Sequence, residues 1–308
     1  MRKILVTGAL GQIGSELVPA LQKKIGKKAV IASDIKEKPL AFKGVYKILD
    51  VTDFENCKLI IKKFDIGEVY HLASLLSATG EQNPNLAWKV NMEGLKNILD
   101  LAKENKIKVF WPSSIAVFGP TTPKLSTPQR TIMEPTTMYG VTKYAGELLC
   151  QYYHLKYGVD VRSLRYPGLI SWKTPPGGGT TDYAMAIFYD GIKTGKYTCF
   201  VSPQTTLPMM YMDDAIRATL ELIETQESKI KIRTSYNLAA ISFSAKELAN
   251  EINKHIKVKV SYKPDFHQAI ADSWPQSIDD SEARRDWSWK HKYSLTRMTE
   301  KMLKNLKK

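Results

Sequence analysis

The opening segment of the chain constrains its fold more than any other stretch. Residues 4–6 are an unbroken apolar run, which is typical of a parallel strand buried on both faces. Leu17, Val18 and Leu21 then recur at helical spacing, and a glycine-rich turn, Gly8 to Gly14, lies between the two patterns. A buried strand, a glycine turn and a helix in this order predict the first unit of a doubly wound α/β sheet.

The glycine turn carries glycines at positions 8, 11 and 14, with Gln12 and Ile13 between the last two. Glycines allow a tight turn and let the backbone approach a pyrophosphate, whose charge is met by free N–H groups and the positive end of the following helix. The spacing of three and three differs from the usual G-x-G-x-x-G fingerprint. A dinucleotide site is therefore a hypothesis here, with an ordinary strand-to-helix turn as the alternative.

Asp34 strengthens that hypothesis. It follows the predicted second strand, residues 30–33, and lies 20 positions after Gly14. An acid at this point of a dinucleotide site accepts hydrogen bonds from the adenosine ribose and repels a 2′-phosphate. The sequence therefore predicts NAD rather than NADP, although Lys36 nearby weakens the argument.

Strand and helix patterns alternate through the first half, which indicates a doubly wound parallel sheet of the Rossmann type. The predicted strands are 30–33, 45–51, 68–73, 107–111 and 161–166, and the predicted helices are 53–64, 85–106 and 138–157. After Pro167 the alternation becomes irregular. We expect an NAD-binding domain over residues 1–168 and a smaller α+β lobe, mainly for substrate, over residues 169–308, with some segments returning to the first domain. The Pro- and Thr-rich loop 120–137 is long enough to be a lid.

Composition excludes several classes of protein. No apolar run approaches the roughly 18 residues of a membrane span. The formal net charge is +14, but the lysines are spread along the chain without an arginine-rich stripe, so we expect a solvated surface and no nucleic-acid partner. The five histidines show no ligand spacing, so no metal is predicted. Three scattered cysteines and a strand close to Met1 suggest a cytoplasmic protein, or a mitochondrial one if a leader has been removed.

Two side chains at the start of helix 138–157 carry the predicted chemistry. Tyr139 and Lys143 are four residues apart, so they share a helix face. A free tyrosine titrates near 10 and is a poor base at neutral pH, but a nearby ammonium can lower its pKa by about two units for about 2.7 kcal/mol. Ser113 and Ser114 follow a predicted strand, where a hydroxyl could hold a substrate oxygen. Together these residues predict metal-free oxidation of an alcohol, with nicotinamide accepting the hydride.

These residues resemble the extended short-chain dehydrogenase/reductases. The matching segments are Gly8 to Gly14, His71-Leu72-Ala73, Val90-Asn91 with Gly94, Ser113-Ser114 before 117–119, and Tyr139 with Lys143. Within that family, segments 179–184, 207–211 and 271–275 resemble the members that oxidise L-threonine at its β-carbon, so the resemblance covers nearly the whole chain.

The resemblance implies a role for each matching residue. Tyr139 would be the general base, Lys143 would tune it and bind the ribose, and Ser114, with Ser113 beside it, would orient the substrate hydroxyl. The expected NAD contacts are Gly8, Gly11, Gln12, Ile13, Gly14, Asp34, Asp50, Val51, Leu72, Ala73, Tyr139, Lys143, Pro167 and Ile170. The expected amino-acid contacts are Ser74, Ser77, Ser114, Tyr139, Thr180, Thr181, Asp182 and Trp274. A homodimer through helix 138–157 and the helix before it is also implied.

Two of the substrate predictions have structural alternatives. A zwitterion needs donors for its carboxylate and an acceptor for its ammonium, and Thr180, Thr181 and Asp182 offer both. The same residues follow a Pro/Gly loop and suit the N-cap of a helix. Trp274 could equally belong to the core.

Two other functions compete with this reading. A nucleotide-sugar epimerase or dehydratase would share the first domain and the catalytic pair. Those relatives usually have Arg-Tyr-Phe-Asn where this chain has Arg165 to Gly168, so an asparagine expected to contact the diphosphate sugar is missing. A non-catalytic dinucleotide-binding protein, or a nucleic-acid-binding one suggested by the +14 charge, is the third reading.

Overall fold

The computed structural model describes residues 2–307. The strands are β1 Lys3–Thr7, β2 Val30–Asp34, β3 Val45–Ile48, β4 Ile66–His71, β5 Lys108–Ser114, β6 Val161–Tyr166, β7 Gly168–Ile170, β8 Lys196–Cys199, β9 Thr206–Tyr211, β10 Tyr236–Asn237, β11 Ile241–Ser244 and β12 Lys259–Tyr262. The α-helices are α1 Gly14–Ile25, α2 Phe54–Phe64, α3 Ser77–Gln82, α4 Pro84–Trp88, α5 Gly94–Asn105, α6 Met138–Tyr157, α7 Tyr183–Thr194, α8 Met212–Glu224, α9 Ala245–Asn253, α10 Phe266–Ser273, α11 Ser281–Trp287 and α12 Leu295–Leu306.

The main sheet has seven strands in the order β10-β6-β5-β4-β1-β2-β3, and all of its pairs are parallel. Helices cover both faces, which explains the unbroken apolar run in β1. Ile4 and Val6 pack into the core that includes α1 and α8, whereas Leu5 packs on the opposite face into the core of α2, α5 and α6. The predicted doubly wound fold is therefore confirmed.

Helix α6 has the predicted bounds, and its start is set by a side-chain cap. The Thr137 hydroxyl accepts a hydrogen bond from the Gly140 amide, which satisfies one of the unpaired N–H groups of the first turn. Tyr139 therefore lies in the first turn of the helix. The predicted strand 161–166 is confirmed as β6 beside β5.

The predicted helix 85–106 is not uniform. It consists of α4, a π-helical turn at Lys89–Glu93 and α5. Apolar periodicity does not reveal such a turn, because one extra residue in the hydrogen-bonded ring leaves the helix axis nearly continuous. π-Helical turns are frequent at functional sites, and this one contains the buried Asn91.

The second half of the chain forms two small sheets, β11-β9-β7 and β12-β8. The sequence patterns missed β7 and β11, which are three and four residues long. Other segments of this half pack on the main sheet, where β10 pairs with β6 and α8 contacts α1. The division at residue 168 stays a prediction, with α8 and β10 among the segments that return to the first part.

Loop 120–137 packs against the segment that carries Trp274. The Lys124 ammonium donates to the carbonyls of Asp272 and Trp274, and the Thr127 amide donates to Ser277. The loop thus contacts a residue of the cleft described below without lining that cleft itself. Its role as a lid stays a prediction. None of the helices described between residues 2 and 307 is long and apolar enough to cross a bilayer.

Candidate active site

A cleft of about 150 Å³ opens at the carboxyl ends of β4, β5 and β6. Ligands of doubly wound sheets bind at this edge. The cleft brings together fourteen of the predicted site residues, Gln12, Ile13, Leu72, Ser74, Ser77, Ser113, Ser114, Tyr139, Lys143, Pro167, Thr180, Thr181, Asp182 and Trp274. It is also lined by residues that the sequence did not indicate, namely Leu76, Pro112, Ile115, Tyr166, Gly168, Leu169 and Gly179.

Lys143 is held between the helix and the end of β5. Its side chain is 3% exposed, its Nζ donates to the Pro112 carbonyl at 2.8 Å, and the same Nζ lies 5.5 Å from the centroid of the Tyr139 ring. The Ser114 hydroxyl is close enough to Tyr139 to influence its pKa, and it also accepts from the Ala116 amide at 3.2 Å. Ser114, Tyr139 and Lys143 therefore form one cluster.

The pKa values in this cluster differ from the sequence-based expectation. Burial raises the pKa of Tyr139 to about 12, and the Ser114 hydroxyl only partly opposes this. Burial lowers the pKa of Lys143 to about 7, with Cys150 and Glu147 acting in the opposite direction. In the protein alone, the pKa of the Tyr139 phenol is therefore raised and not lowered as expected, because burial of the ring disfavours its charged form.

Ser113 has a different environment from Ser114. It is 2% exposed, and its hydroxyl donates to Glu147 Oε1 at 2.6 Å. A hydroxyl whose proton is held by a carboxylate is not free to donate to a substrate. The predicted pair of substrate-binding serines is therefore reduced to Ser114, and Ser113 becomes part of the wall behind it.

Asp182 is held by its own loop. Its Oδ2 accepts hydrogen bonds from the amides of Gly177, Gly178 and Gly179 at 2.7, 2.8 and 2.8 Å. This disfavours the expected role as acceptor for a substrate ammonium. The expected N-cap bond is absent as well, because the Asp182 side chain caps no amide of α7.

Thr180 keeps its hydroxyl available. The residue is 2% exposed and lines the cleft, and its Oγ1 has no hydrogen-bond partner among the described residues. A buried hydroxyl without a partner costs free energy, so such a group in a cleft is a candidate ligand for a bound molecule. Thr181, Ser77 and Trp274 also line the cleft.

Asn91 connects the loop after β4 to α6. Its Oδ1 accepts from the Leu75 amide at 2.8 Å and from the Ser74 hydroxyl at 3.1 Å, and its Nδ2 donates to the Thr142 hydroxyl at 3.0 Å. The Thr142 hydroxyl in turn donates to the Tyr139 carbonyl. The π-helical turn therefore positions Ser74, whose hydroxyl is already engaged.

Eight predicted cofactor residues lie outside the cleft lining. These are Gly8, Gly11, Gly14, Asp34, Asp50, Val51, Ala73 and Ile170. Most of them follow the carboxyl ends of β1 to β4. The Ile170 side chain is fully buried in the core that also contains residues 115–118, and its contact with NAD stays a prediction.

Comparison with known proteins agrees with this arrangement. Residues 4–239 match the NAD dependent epimerase/dehydratase family. The chain belongs to this family. Its relatives include the mitochondrial L-threonine 3-dehydrogenase of Bos taurus, at 46% identity over 98% of this chain and 82% of that protein.

Solved structures of L-threonine dehydrogenases share the whole fold of this family member. The holo form of the GalE-like enzyme from Cupriavidus necator has a TM-score of 0.97 and 52% identity, with 99% of each chain covered. A monomeric L-threonine 3-dehydrogenase from a metagenome database has a TM-score of 0.96 and 53% identity, with 98% of each chain covered.

The residues present fit the NAD that the family name specifies. Gly8 has φ +64°, and a Cβ there would lie 2.7 Å from the Ala73 amide nitrogen, so only glycine suits this turn. Asp34 closes the same turn, since its Oδ2 accepts from the Leu10 amide at 3.0 Å. The tight glycine turn and the acid after β2 are the two features that a dinucleotide site requires. Among residues 2–307, no group of three or more His, Cys, Asp or Glu side chains could hold a metal ion.

Glu147 and Arg165 were not predicted. Both are buried, and they form a bidentate ion pair with Nε–Oε1 and Nη2–Oε2 distances of 2.8 and 2.7 Å. A signal existed, because an arginine within a buried strand such as β6 indicates a buried acidic partner. Glu147 is four residues after Lys143 and shares its helix face.

Proposed function

We propose that this protein oxidises L-threonine at its β-carbon with NAD, giving 2-amino-3-oxobutanoate and NADH. The observation that supports this best is the single cleft in which Ser114, Tyr139 and Lys143 meet the free hydroxyl of Thr180. The substrate is suggested by relatives named L-threonine 3-dehydrogenase that are similar over nearly the full chain.

The lining of the cleft suits a small polar substrate, because it offers several hydroxyl groups beside Tyr139 and Lys143. In this proposal, Thr180 donates to the substrate carboxylate, and Ser77, Thr181 and Trp274 surround the amino acid. The epimerase reading has less support, because Gly168 stands where those relatives usually have the asparagine expected to contact a diphosphate sugar.

The proposed reaction uses the chain's own groups to move one proton. The Ser114 hydroxyl orients the substrate β-hydroxyl, and Tyr139 accepts its proton as the carbonyl forms. NAD, when bound, would supply the acceptor for the hydride that leaves the β-carbon.

A raised phenol pKa makes Tyr139 a weak base in the protein alone. The Lys143 Nζ lies 5.5 Å from the centroid of the Tyr139 ring, and burial lowers the pKa of Lys143 to about 7, so its charge depends on pH near neutrality. In this proposal, the pKa of Tyr139 moves closer to neutrality when bound molecules bring further positive charge into the cleft. We also expect Asp34, Asp50 and Val51 to contact the adenosine part of NAD.

The proposal includes a homodimer built on α6. Val141, Leu148, Tyr152 and Leu155 are 39%, 48%, 50% and 74% exposed and follow helical spacing, so α6 presents an apolar stripe to solvent. Such a stripe commonly marks an interface. Light scattering of the wild type and of Leu148→Glu tests this, since a dimer that dissociates in the variant is expected. A wild type that is monomeric, like the metagenome relative, would contradict it. A cytoplasmic or mitochondrial location stays a prediction.

NADH absorbance distinguishes the candidate functions directly. The wild type is mixed with NAD and with L-threonine, D-threonine, L-serine or a uridine diphosphate sugar in separate reactions. NADH formation with L-threonine and much less with the other three is expected. Conversion of the sugar nucleotide, or binding to a random DNA duplex without any NADH formation, would instead support one of the two alternatives.

A further inference from the structure

A buried polar network lies behind the catalytic cluster. Glu147 is fully buried, and its Oε1 accepts both from the Ser113 hydroxyl and from Arg165 Nε, at 2.6 and 2.8 Å. Arg165 is itself fixed, since its Nη1 donates to the Gln129 carbonyl and to Asn237 Oδ1 at 2.9 and 3.0 Å. Each nitrogen and oxygen atom at the charged end of these two side chains therefore has a hydrogen-bond partner.

The network joins consecutive residues of β5 to successive turns of α6. The Pro112 carbonyl accepts from Lys143, the Ser113 hydroxyl donates to Glu147, and Ser114 follows at once. Tyr139, Lys143 and Glu147 are spaced by four residues, so they form one row along the helix. The end of the strand is thereby held against the row that carries the proposed base.

We propose that Glu147 is a positioning residue for the reaction, which fixes the end of β5 against α6 through Ser113 and so keeps Ser114 within reach of Tyr139. This inference rests on the proposed function. Glu147 touches neither the substrate nor the cofactor in this account. The buried Arg165 orients the carboxylate for Ser113 through hydrogen bonds to both of its oxygens.

A simpler alternative is that the ion pair only stabilises the fold. Removing one partner of a buried pair typically costs about 3–5 kcal/mol, because it leaves a buried charge uncompensated. Loss of activity in a Glu147 variant alone would therefore not separate positioning from stability. Ser113→Ala separates them, since it leaves the Glu147–Arg165 pair intact and removes only the link to β5.

The test measures kcat and KM for the wild type, Ser113→Ala, Glu147→Gln and the double variant. Misplacement of reacting groups by about 1 Å can cost roughly 100-fold in rate, so we expect Ser113→Ala to lower kcat by about 10- to 100-fold. KM for NAD should stay near the wild-type value. The double variant should lose no more than the more impaired single variant, because both changes break the same link.

Tyr153→Phe is the matched control. Its hydroxyl also donates to a carboxylate, Asp100 Oδ1, at 2.6 Å, and also joins α6 to a neighbouring element, but near the opposite end of the helix. This variant should keep the wild-type kcat. The proposal is overturned if Ser113→Ala keeps wild-type kcat, or if the losses of the two single variants multiply in the double variant.

Amide hydrogen exchange provides a readout that does not depend on the reaction. Measured on the protein without NAD or threonine, segment 112–117 should exchange faster in Ser113→Ala than in the wild type, whereas β1 should be unchanged. Unchanged exchange in segment 112–117 would contradict the inference. If the wild type forms no NADH from threonine while segment 112–117 still loosens in the variant, the proposed function fails and the role of Glu147 in the fold remains.

Discussion

The two walls of the cleft are built differently. On the wall formed by β5 and α6, Lys143 and Glu147 each bond to the end of the strand, and Arg165 completes a buried network. On the opposite wall, the glycine loop before α7 is held by the carboxylate of Asp182, and Thr180 has a hydroxyl without a partner. The polar groups named in the wall of β5 and α6 have hydrogen-bond partners, whereas the Thr180 hydroxyl in the other wall has none within residues 2–307.

This difference assigns separate tasks to the two walls. Proton transfer depends steeply on distance, so the groups that carry it need a fixed frame. Substrate binding gains from a polar group that has no partner until the ligand arrives. Changes in the first wall should therefore act on kcat, and changes in the second wall should act mainly on KM for the substrate.

The largest effect is expected from Tyr139→Phe, which removes the proposed base and leaves the ring in place. General-base catalysis contributes about 100- to 10,000-fold, so kcat should fall by that factor while KM for NAD changes little. The NADH assay with L-threonine measures both values. A variant that keeps most of its rate would rule out this phenol as the base and remove the distinction between the walls.

Lys143→Met should reduce kcat strongly and yet raise stability at neutral pH. The pKa of Lys143 is about 7 in the fold and near 10.4 when unfolded. Between these values the unfolded chain binds the extra proton, so wild-type stability rises with pH across that window. The variant lacks this titrating group. Its free energy of unfolding should exceed that of the wild type by on the order of a few kcal/mol at pH 7, and this difference should shrink towards pH 10.

Urea unfolding of the wild type and Lys143→Met at pH 7 and pH 9.5 checks this expectation. A wild type that is more stable than the variant at pH 7 would show that burial of the lysine is fully compensated by its contacts. In that case the first wall would be built for stability as well as for chemistry.

Asp182→Ala should act on the other wall. Loss of the carboxylate frees the amides of Gly177 to Gly179, so the loop that carries Thr180 is no longer held. Losing charge-assisted hydrogen bonds of about 1.5–3 kcal/mol each should raise KM for threonine by roughly 10-fold or more, with a smaller change in kcat. Asp190→Ala, an exposed change on α7, is the control. An unchanged KM would mean that the loop does not shape the substrate site.

Thr180→Val is the mildest change and sharpens the comparison most. Valine has a similar shape but lacks the hydroxyl that has no partner in the protein alone. A hydrogen bond of about 0.5–1.5 kcal/mol predicts a KM for threonine about 2- to 10-fold higher. The free protein should be as stable as the wild type or more so, because a buried unsatisfied group is removed. Lower stability would indicate that this hydroxyl already has a structural role.

Much of the first half could be predicted from local patterns. The bounds of α6 and β6 are the predicted ones, residues 138–157 and 161–166. The π-helical turn around Asn91, the use of Asp182 by backbone amides and the Glu147–Arg165 pair could not be predicted in the same way. Each of these depends on contacts between residues that are distant in sequence or on loop geometry that has no periodic signal.

The sequence by itself determined the parallel sheet, the glycine turn with its acid, and the helix face shared by Tyr139 and Lys143. These features depend on short-range spacing and on burial of apolar runs, which are legible along the chain. Only the tertiary structure decided which serine hydroxyl is bonded to a carboxylate, that Asp182 is engaged by its own loop, and in which direction burial moves the pKa values of Tyr139 and Lys143. These outcomes depend on which groups the folded chain brings together and on how much water the packed elements remove from them.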